Sequence, residues 1–372
     1  MKVLVLGREY PTTANQMCGS FELEQAQMLA RAGMEVFYLM VDIRSIRRMR
    51  RFGFYCKMED GVNLAVCSIP IGPIFSQQRL NRIYARFREK LIFWLAKKKG
   101  IPDVIHVHYP SLFPYRLVQP WQEKGVKIVA TEHWSAVQCK TLDGYCLQNL
   151  RDFAARADAF CCVGAGLQTS LRQLTGRKDI FIVPNVVNHV FKPGKIPHKG
   201  FRFVCSGRLV PLKQYDMVIE AFVDVFHDNK DVSLTVAGDG SEAGWLRSLI
   251  AVNKAEDQVH MPGALAREKM AELIASSDVL VVFSRIETFC VPVIEAWACG
   301  KPVITSKTTV FMDNPDERLG IIADYRDPDS LREAFRQIYH SYKDYDPEWI
   351  ARYADIHFSE RVVSGQLYEI YR

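Results

Sequence analysis

The chain has 372 residues, of which 48% are hydrophobic and 24% charged, so it can build two domains with sizeable cores. Its ten cysteines contain no CxxC pair, which argues against disulfide frameworks and metal sites and favours a reducing, cytoplasmic compartment. The formal net charge is +6, and no apolar run reaches the roughly 18 residues that a membrane span needs.

The first half of the chain alternates short β-rich apolar runs with helical patterns, which predicts βα units on a parallel sheet. The opening run MKVLVLG is too short for a signal peptide and is predicted to be a buried strand. The first predicted helix, SFELEQAQMLARAG, ends at Gly33. The predicted strands are KVLVLG, EVFYLMV, DVIHVHY, VKIVATEH, AFCCVG and DIFIVPN.

Positive charge is concentrated between residues 40 and 100, in Arg44–Arg51 (RSIRRMRR) and in a predicted helix at Arg79–Lys99. One interpretation places this helix on an anionic membrane surface, and the other packs its apolar side on the sheet with the cations in solvent. No RNA- or DNA-binding motif accompanies the charge, so nucleic acid is not expected as a partner. The apolar stripe of the helix contains Leu80, Ile83, Tyr84, Phe87, Leu91, Trp94 and Leu95, and its basic stripe contains Arg79, Arg82, Arg86, Lys90 and Lys97.

Three residues of this half lie where a ligand could approach. Gly19, in MCGSFELEQA, is at a loop-to-helix junction where the backbone could approach a ligand closely. His108 and His133 end the predicted strands DVIHVHY and VKIVATEH, and ligands bind beyond the carboxyl ends of parallel strands. Taken singly, a histidine in such a position more often has a purely structural role.

The βα pattern stops at residues 188–200, a Pro-, Gly- and Lys-rich segment predicted to be a linker, and then restarts. We therefore predict domains at 1–188 and 189–346 and a helical tail at 347–372, each domain with a doubly wound sheet. The predicted strands of the second half are FRFVCSG, LTVAGDG, VHMPG, DVLVVFS, KPVITS and GIIAD, and its helices lie near 214–228, 241–253, 267–277, 291–299 and 328–342.

A pair of cations follows the first strand of the second half, in SGRLVPLKQYD. Gly207 allows a tight turn, and Arg208 and Lys213 lie on a loop that enters a helix, an arrangement that suits a diphosphate. Two solvated surface cations are the alternative. The nearby VAGDGSEAGWL lacks the G-x-G-x-x-G spacing, so it predicts a tight βα turn and argues against an NAD-dependent oxidoreductase.

Two carboxylates, Glu287 and Glu295, lie in the otherwise apolar segment SRIETFCVPVIEAWACGKPVI, although an unpaired buried carboxylate is costly. Pro292 fits the first turn of a helix, which is expected to place Glu295 in that turn and Glu287 in the loop before it. The N–H groups of residues 289–291 could then hold an anion, and sugar or ribose hydroxyls would donate to the carboxylates. The alternative is that Glu295 is a charge at the helix start, bonded to backbone, and that Glu287 is a solvated loop residue.

In order, these segments resemble the retaining glycosyltransferases of family 4, which have the GT-B fold. The resemblance runs from MKVLVLGREYP through DVIHVH, VPNVVNHVFKP, GRLVPLK, AGDG, MPGAL and ETFCVPVIEAWACGKPVI to FSERVVSGQLYEIY. It implies an α/β protein with two Rossmann-like domains facing a cleft. The first domain would be on the acceptor side and the second would bind the nucleotide sugar. A C-terminal helix would cross back to the first domain, so that the helical tail at 347–372 packs on the N-terminal domain.

The resemblance also implies roles for individual residues. Arg208 and Lys213 would neutralise the donor diphosphate, and Glu295 would bond the ribose hydroxyls. Glu287 would contact the transferred sugar, and His133 would reach it from the other domain. The implied substrate-binding set is Gly19, Gly207, Thr288, Phe289, Cys290, Val291 and Glu295, although the family often has Gly-Phe-Gly where this chain has Thr288-Phe289-Cys290.

The implied activity is retaining transfer of a hexose from a UDP- or GDP-linked donor to a saccharide or lipid-linked acceptor, in cell-surface polysaccharide synthesis. No metal and no other cofactor is expected. The protein would be cytoplasmic and peripheral on the inner membrane face, with Arg44–Arg51 and Arg79–Lys99 at the lipid. A sugar-nucleotide epimerase of the same fold and a non-catalytic sugar-nucleotide-binding protein are the alternatives.

Overall fold

The computed structural model describes residues 1–8, 10, 19–43, 53–69, 77–194, 196–307 and 310–372. Within these residues the chain forms two compact units. One contains Met1–Val186 together with Val363–Arg372, and the other contains Val187–Val362. The predicted linker at 188–200 has no regular secondary structure among its described residues.

The first unit is a mostly parallel sheet with helices between its strands. Its strands are β1 (Lys2–Leu6), β2 (Glu35–Ile43), β3 (Gly53–Glu59), β4 (Val62–Ile69), β5 (Val104–His108), β6 (Lys127–Glu132), β7 (Ala159–Cys162) and β8 (Phe181–Ile182). Its helices are α1 (Ser20–Arg31), α2 (Gln77–Lys99), α3 (Gln119–Gln122), α4 (Ser135–Gln138), α5 (Gly144–Arg156) and α6 (Ala165–Thr175). The strand order is β3-β4-β2-β1-β5-β6-β7-β8, so the winding direction reverses between β1 and β5. Ligand crevices form at such switch points.

One edge of this sheet is a hairpin that the apolar pattern did not predict. Strands β3 and β4 pair antiparallel, with Glu59 opposite Val62. Asp60 and Gly61 between them have φ angles of 46° and 80°, the conformation that favours Asp-Gly in two-residue hairpin turns. Most of β3 is exposed, so its residues lack the alternation of buried and solvated positions that marks a strand.

The second unit is a parallel sheet whose helices lie close to their predicted positions. Its strands are β9 (Phe201–Ser206), β10 (Val232–Ala237), β11 (Val259–Gly263), β12 (Val279–Val282), β13 (Val303–Ser306) and β14 (Gly320–Ala323). Its helices are α7 (Tyr215–Phe226), α8 (Ala243–Val252), α9 (Arg267–Ala275), α10 (Val291–Ala298), α11 (Val310–Asp313), α12 (Pro328–Ser341) and α13 (Pro347–Phe358). The order β11-β10-β9-β12-β13-β14 places the switch point between β9 and β12.

The predicted tail at 347–372 is divided between the two units. Its first helix, α13, packs on α10, where Trp297 is fully buried. The ring centroid of Trp297 lies 5.8 Å from that of Tyr353 and 6.1 Å from that of Phe358. Residues 347–362 therefore belong to the second unit.

The last helix, α14 (Glu360–Tyr371), completes the core of the first unit. Val363, Leu367 and Tyr371 recur every fourth residue and are buried among the side chains of that core. Residues four apart share one face of a helix, so a single apolar stripe accounts for this packing. Only residues 363–372 of the tail belong to the first unit.

Helix α2 buries part of its predicted apolar stripe against the sheet. Phe87 and Trp94 are each still 37% exposed, and Phe54 of β3 contacts Trp94 with ring centroids 4.9 Å apart. Arg86, Lys90 and Lys97 of the predicted basic stripe are exposed, whereas the side chains of Arg79 and Arg82 and the segment 44–51 lie outside the described residues. Across the described ranges, no helix has a stretch both long and apolar enough to traverse a bilayer. The stripe residues that pack on the sheet beside Val41 and Cys67 are Leu80, Ile83, Tyr84 and Leu91.

Candidate active site

The predicted cations lie on a loop that follows β9 at the switch point of the second sheet. We call Gly207–Gln214 the cation loop. Arg208 is exposed, whereas Lys213 ends a short 3-10 turn and is half-buried. Gln214 adopts a left-handed conformation (φ 52°, ψ 40°) and begins α7. The loop thus presents two cations beyond the carboxyl end of the central strand.

The AGDG segment is the tight βα turn predicted from its spacing, and it supports the cation loop. The backbone N–H groups of Gly207 and Leu209 donate to the carbonyls of Ala237 and Asp239, at 3.1 and 2.9 Å. Gly238 has φ 156°, and a Cβ built on it would lie 1.8 Å from the Gly207 carbonyl oxygen. A side chain at this position would therefore push the cation loop away.

Replacing Gly238 with alanine is expected to lower the free energy of unfolding by about 2–4 kcal/mol, through overpacking and backbone strain together. Binding of a nucleoside diphosphate should weaken with it, because the cation loop must move. Thermal unfolding and calorimetric titration measure the two effects. Gly244→Ala is the matched control: its Cβ meets nothing within 4 Å, so stability should stay constant or rise by up to about 1 kcal/mol. Equal behaviour of the two variants would contradict the prediction.

Glu287 lies in the loop after β12 and forms an ion pair with Lys213. The two side chains are only 12% and 18% exposed. Burial alone would lower the pKa of Lys213, but attraction to the Glu287 carboxylate outweighs it and raises the pKa. The structure therefore brings Lys213 and Glu287 together as a charged pair at the switch point.

The loop 287–291 leads directly into α10, whose first N–H groups have no carbonyl partner within the helix. Thr288 is half-buried, Phe289 and Val291 are buried, and Val291 is the first helical residue. Cys290 has φ 72° and ψ 75°, a left-handed conformation that costs a non-glycine residue about 1–2 kcal/mol. This conformation explains the glycine that the family often has at this position. Burial, and then the Glu287 carboxylate, raise the pKa of the Cys290 thiol, which stays protonated.

Glu295 is buried in α10, 1% exposed, and pairs with Arg267, a residue for which no role was predicted. Its Oε1 lies 2.6 Å from a guanidinium nitrogen of Arg267. Arg267 begins α9 just beyond β11, and its guanidinium lies 5.0 Å from the ring centroid of Phe191. Glu295 is the fifth residue of α10, so the expectation that it lies in the first helical turn is wrong. The position of Arg267 just past a strand end was the available signal for its role.

The remaining predicted residues lie at the carboxyl edge of the first sheet. Gly19 has φ 71° and precedes α1. His108 ends β5 and His133 follows β6, with 2.9 Å between Nδ1 of His108 and Nε2 of His133. Arg8 follows β1, and its guanidinium lies 4.3 Å from the ring centroid of Tyr109. The Tyr109 ring in turn lies 5.0 Å from that of His133, centroid to centroid. Arg8 and Tyr109 join the site residues that sequence reasoning missed.

Burial sets the charge of the two histidines at this edge. It lowers the pKa of His108 to about 3. It also lowers the pKa of His133, with smaller contributions from His108 and Arg8. Both rings are therefore neutral at pH 7, so His133 can donate or accept a hydrogen bond without carrying charge.

Two family models match the chain, one over each half. Residues 22–191 match the model described as glycosyltransferase family 4. Residues 187–352 match the model described as glycosyl transferases group 1. The chain resembles sucrose-phosphate synthase from Thermosynechococcus elongatus, with a TM-score of 0.77 at 18% identity over 100% of this chain and 98% of that one. At that identity the likeness concerns the fold.

Curated relatives have similar sequences over part of their length. A phosphatidylinositol N-acetylglucosaminyltransferase subunit from Arabidopsis thaliana is 23% identical over 74% of this chain and 62% of its own. The N-acetyl-alpha-D-glucosaminyl L-malate synthase of Bacillus anthracis is 26% identical over 55% of this chain and 56% of its own. The alignments thus span about three fifths of these relatives. The two matched halves, the two parallel-sheet units and the residues at their carboxyl edges together show that the chain belongs to the group 1 and family 4 glycosyltransferases of GT-B fold.

Proposed function

We propose that the protein is a retaining hexosyltransferase that uses a UDP- or GDP-linked sugar and a saccharide or lipid-linked acceptor in cell-surface polysaccharide synthesis. The observation that carries the proposal is the cluster of Arg208, Lys213 and Glu287 at the switch point of the second sheet, beside the N-terminus of α10. Membership of a glycosyltransferase family supports a transferase activity. The names of both curated relatives refer to an N-acetylated glucosaminyl group, which supports including N-acetylhexosamines among the donors.

In the proposed reaction the bond between the anomeric carbon and the diphosphate oxygen breaks, and the diphosphate keeps the electron pair. Arg208, Lys213 and the N–H groups at the start of α10 stabilise the charge that develops there, as preorganised donors do. The acceptor oxygen bonds to the anomeric carbon on the same face and passes its proton to a leaving phosphate oxygen. Glu287 accepts hydrogen bonds from the sugar hydroxyls, and no metal takes part in this scheme.

The test is a thermal-shift panel of nucleotide sugars, including UDP-N-acetylglucosamine, followed by product analysis with the stabilising donor. Slow release of nucleoside diphosphate, accelerated by an acceptor and giving an α-linked product from an α-linked donor, is expected. Return of the donor as its epimer without acceptor would favour a sugar-nucleotide epimerase. Binding without any turnover across saccharide and lipid-linked acceptors would favour a non-catalytic binding protein.

Glu295→Gln is expected to weaken binding of the nucleoside diphosphate about 10- to 100-fold, because a charged hydrogen-bond acceptor contributes about 1.5–3 kcal/mol. In this proposal Glu295 bonds the ribose, and its ion pair with Arg267 orients its carboxylate. Isothermal titration calorimetry measures the change. Glu333→Gln is the control, since Glu333 is 70% exposed and distant in sequence from every residue of the site. Unchanged affinity in Glu295→Gln would remove the ribose assignment.

We also propose that the enzyme acts peripherally at the cytoplasmic face of an anionic membrane. Phe87, Lys90, Trp94 and Lys97 follow one another at helical spacing on α2, so two exposed aromatic rings alternate with two exposed cations. Phe54 of the neighbouring hairpin extends the exposed rings. Aromatic rings and lysines on one face suit the boundary between lipid head groups and water.

Binding to vesicles tests this surface. Lys97→Glu is expected to weaken binding to vesicles containing an anionic lipid roughly 30-fold. Each cation near such a surface contributes about 1 kcal/mol, and reversing the charge both removes that attraction and adds a repulsion of similar size. Lys178→Glu makes the same charge change at another exposed position of the first unit and should have little effect. Binding that is absent at low salt, or that is equal for neutral and anionic vesicles, would reject the membrane surface.

A further inference from the structure

Three histidine rings form a continuous stack inside the first unit. The ring centroids of His106 and His108 are 4.3 Å apart, and those of His108 and His133 are 5.1 Å apart. His106 is held from both sides, with its Nδ1 2.7 Å from the Tyr371 hydroxyl and its Nε2 2.7 Å from the Thr131 hydroxyl. The stack thus connects the end of α14 to the residue that the family resemblance places at the sugar.

Within this stack, His108 and His133 share a hydrogen bond between two ring nitrogens, at 2.9 Å. Because burial keeps both rings neutral at pH 7, each carries a single N–H. One of the two facing nitrogens must carry hydrogen and the other a lone pair. The tautomers of His108 and His133 are therefore coupled: fixing one fixes the other.

The surroundings of Nε2, the ring nitrogen of His108 that does not face His133, decide which of the two tautomer pairs is present. His108 is fully buried, and its Nε2 has no hydrogen-bond partner among the described residues. A buried N–H without a partner is rarer in proteins than an acceptor without one. His108 therefore carries its hydrogen on Nδ1 and donates it to Nε2 of His133, which leaves the hydrogen of His133 on Nδ1.

We propose that His108 is a positioning residue that fixes His133 in the Nδ1–H tautomer, so that His133 meets its substrate as a hydrogen-bond donor. The ring stack sets the plane of His133, and the shared hydrogen bond sets its rotation about the side chain. His106, which is hydrogen-bonded to Tyr371 and Thr131, stacks on the face of His108 and holds its ring in place. The part concerning substrate rests on the proposed transferase function, whereas the tautomer is a property of the folded chain.

Long-range proton–nitrogen NMR on protein labelled with ¹⁵N-histidine tests the tautomer directly, with His133→Gln used to assign the signals. In the parent, Nδ1 of His133 is expected to be protonated and Nε2 unprotonated. His108→Phe keeps a ring in the stack but removes the nitrogen, so His133 should show both tautomers. His108→Asn places an amide donor near the position of Nδ1 and should restore the single tautomer. Tyr371→Phe, which removes a hydrogen bond of His106 only, is the matched control and should leave His133 unchanged.

Kinetics supply the second readout. His108→Phe is expected to lower kcat about 10- to 100-fold, by analogy with removal of the hydrogen-bond partner of a metal-ligating histidine, with the donor KM within about threefold. His108→Asn should recover most of that loss. A parent protonated at Nε2 of His133, or a tautomer that does not respond to His108→Phe, would overturn the proposal even if transfer is active. A tautomer that behaves as expected in a protein that turns over no donor would instead refute the proposed function alone.

Discussion

Lys213→Ala is expected to lower kcat/KM for sugar transfer roughly 30- to 1000-fold, a loss of about 2–4 kcal/mol of transition-state stabilisation. The proposed reason is that Lys213 and Arg208 neutralise the leaving diphosphate. The ion pair with Glu287 adds a second consequence. Removing the ammonium leaves a carboxylate that is 12% exposed without its partner, which should cost about 1–3 kcal/mol of folding free energy.

Two further variants separate these effects. Glu287→Gln in the Lys213→Ala background should restore stability, because the unpaired charge is gone, but it should not restore transfer. Arg208→Ala should lose transfer to a similar extent with little change in stability, since Arg208 is exposed. Initial rates with saturating acceptor and urea unfolding measure the two quantities. Rates within twofold of the parent in both single variants would remove the diphosphate assignment.

Stability should fall steeply below about pH 6.5 because three neutral histidines are buried in one stack. Burial lowers the pKa of His106 and His133 well below the ordinary value and that of His108 to about 3, whereas the unfolded chain titrates near 6.5. Below pH 6.5 the unfolded state binds more protons, so stability is fully present above that pH and is lost as the pH falls. Each histidine contributes a slope of up to about 1.4 kcal/mol per pH unit, and three contribute up to about 4.

Glu132 changes the pH dependence of stability in the opposite direction. Burial raises its pKa, so the folded state binds a proton at a higher pH than the unfolded state does. It should offset part of the loss at the acidic end of the range. Urea midpoints measured between pH 7.5 and 5 give the slope. His108→Phe should reduce that slope by the share of one histidine. A midpoint that is constant over this range would show that the three rings do not stay neutral on folding.

The alternation of strands and helices could be predicted because each buried strand is a short apolar run and each helix repeats its apolar residues at helical spacing. The hairpin at 53–69 was missed because β3 is exposed on most positions, although Asp60-Gly61 was an available turn signal. The division of the tail at residue 362 depends on the packing of α13 against Trp297, a contact between segments about fifty residues apart. No local pattern specifies such a contact.

In the candidate site, too, features set by local sequence could be predicted and contacts between distant segments could not. Arg208, Lys213 and Glu287 could be placed at strand ends from the pattern alone, and strand order then put β9 beside β12. The pairing of Glu295 with Arg267 could not be predicted, because it joins a buried helical residue to the start of another helix. The coupling of His108 to His133 likewise depends on the register of β5 and β6, which local sequence does not encode.

The return of residues 363–372 to the first unit has a consequence for biosynthesis. On the ribosome, domains generally fold in the order in which they are made. Here the first unit is translated first, yet Val363, Leu367 and Tyr371 emerge only after the entire second unit. Until then the nascent first unit lacks part of its core and the Tyr371 partner of His106, so its final folding step must follow synthesis of the second unit.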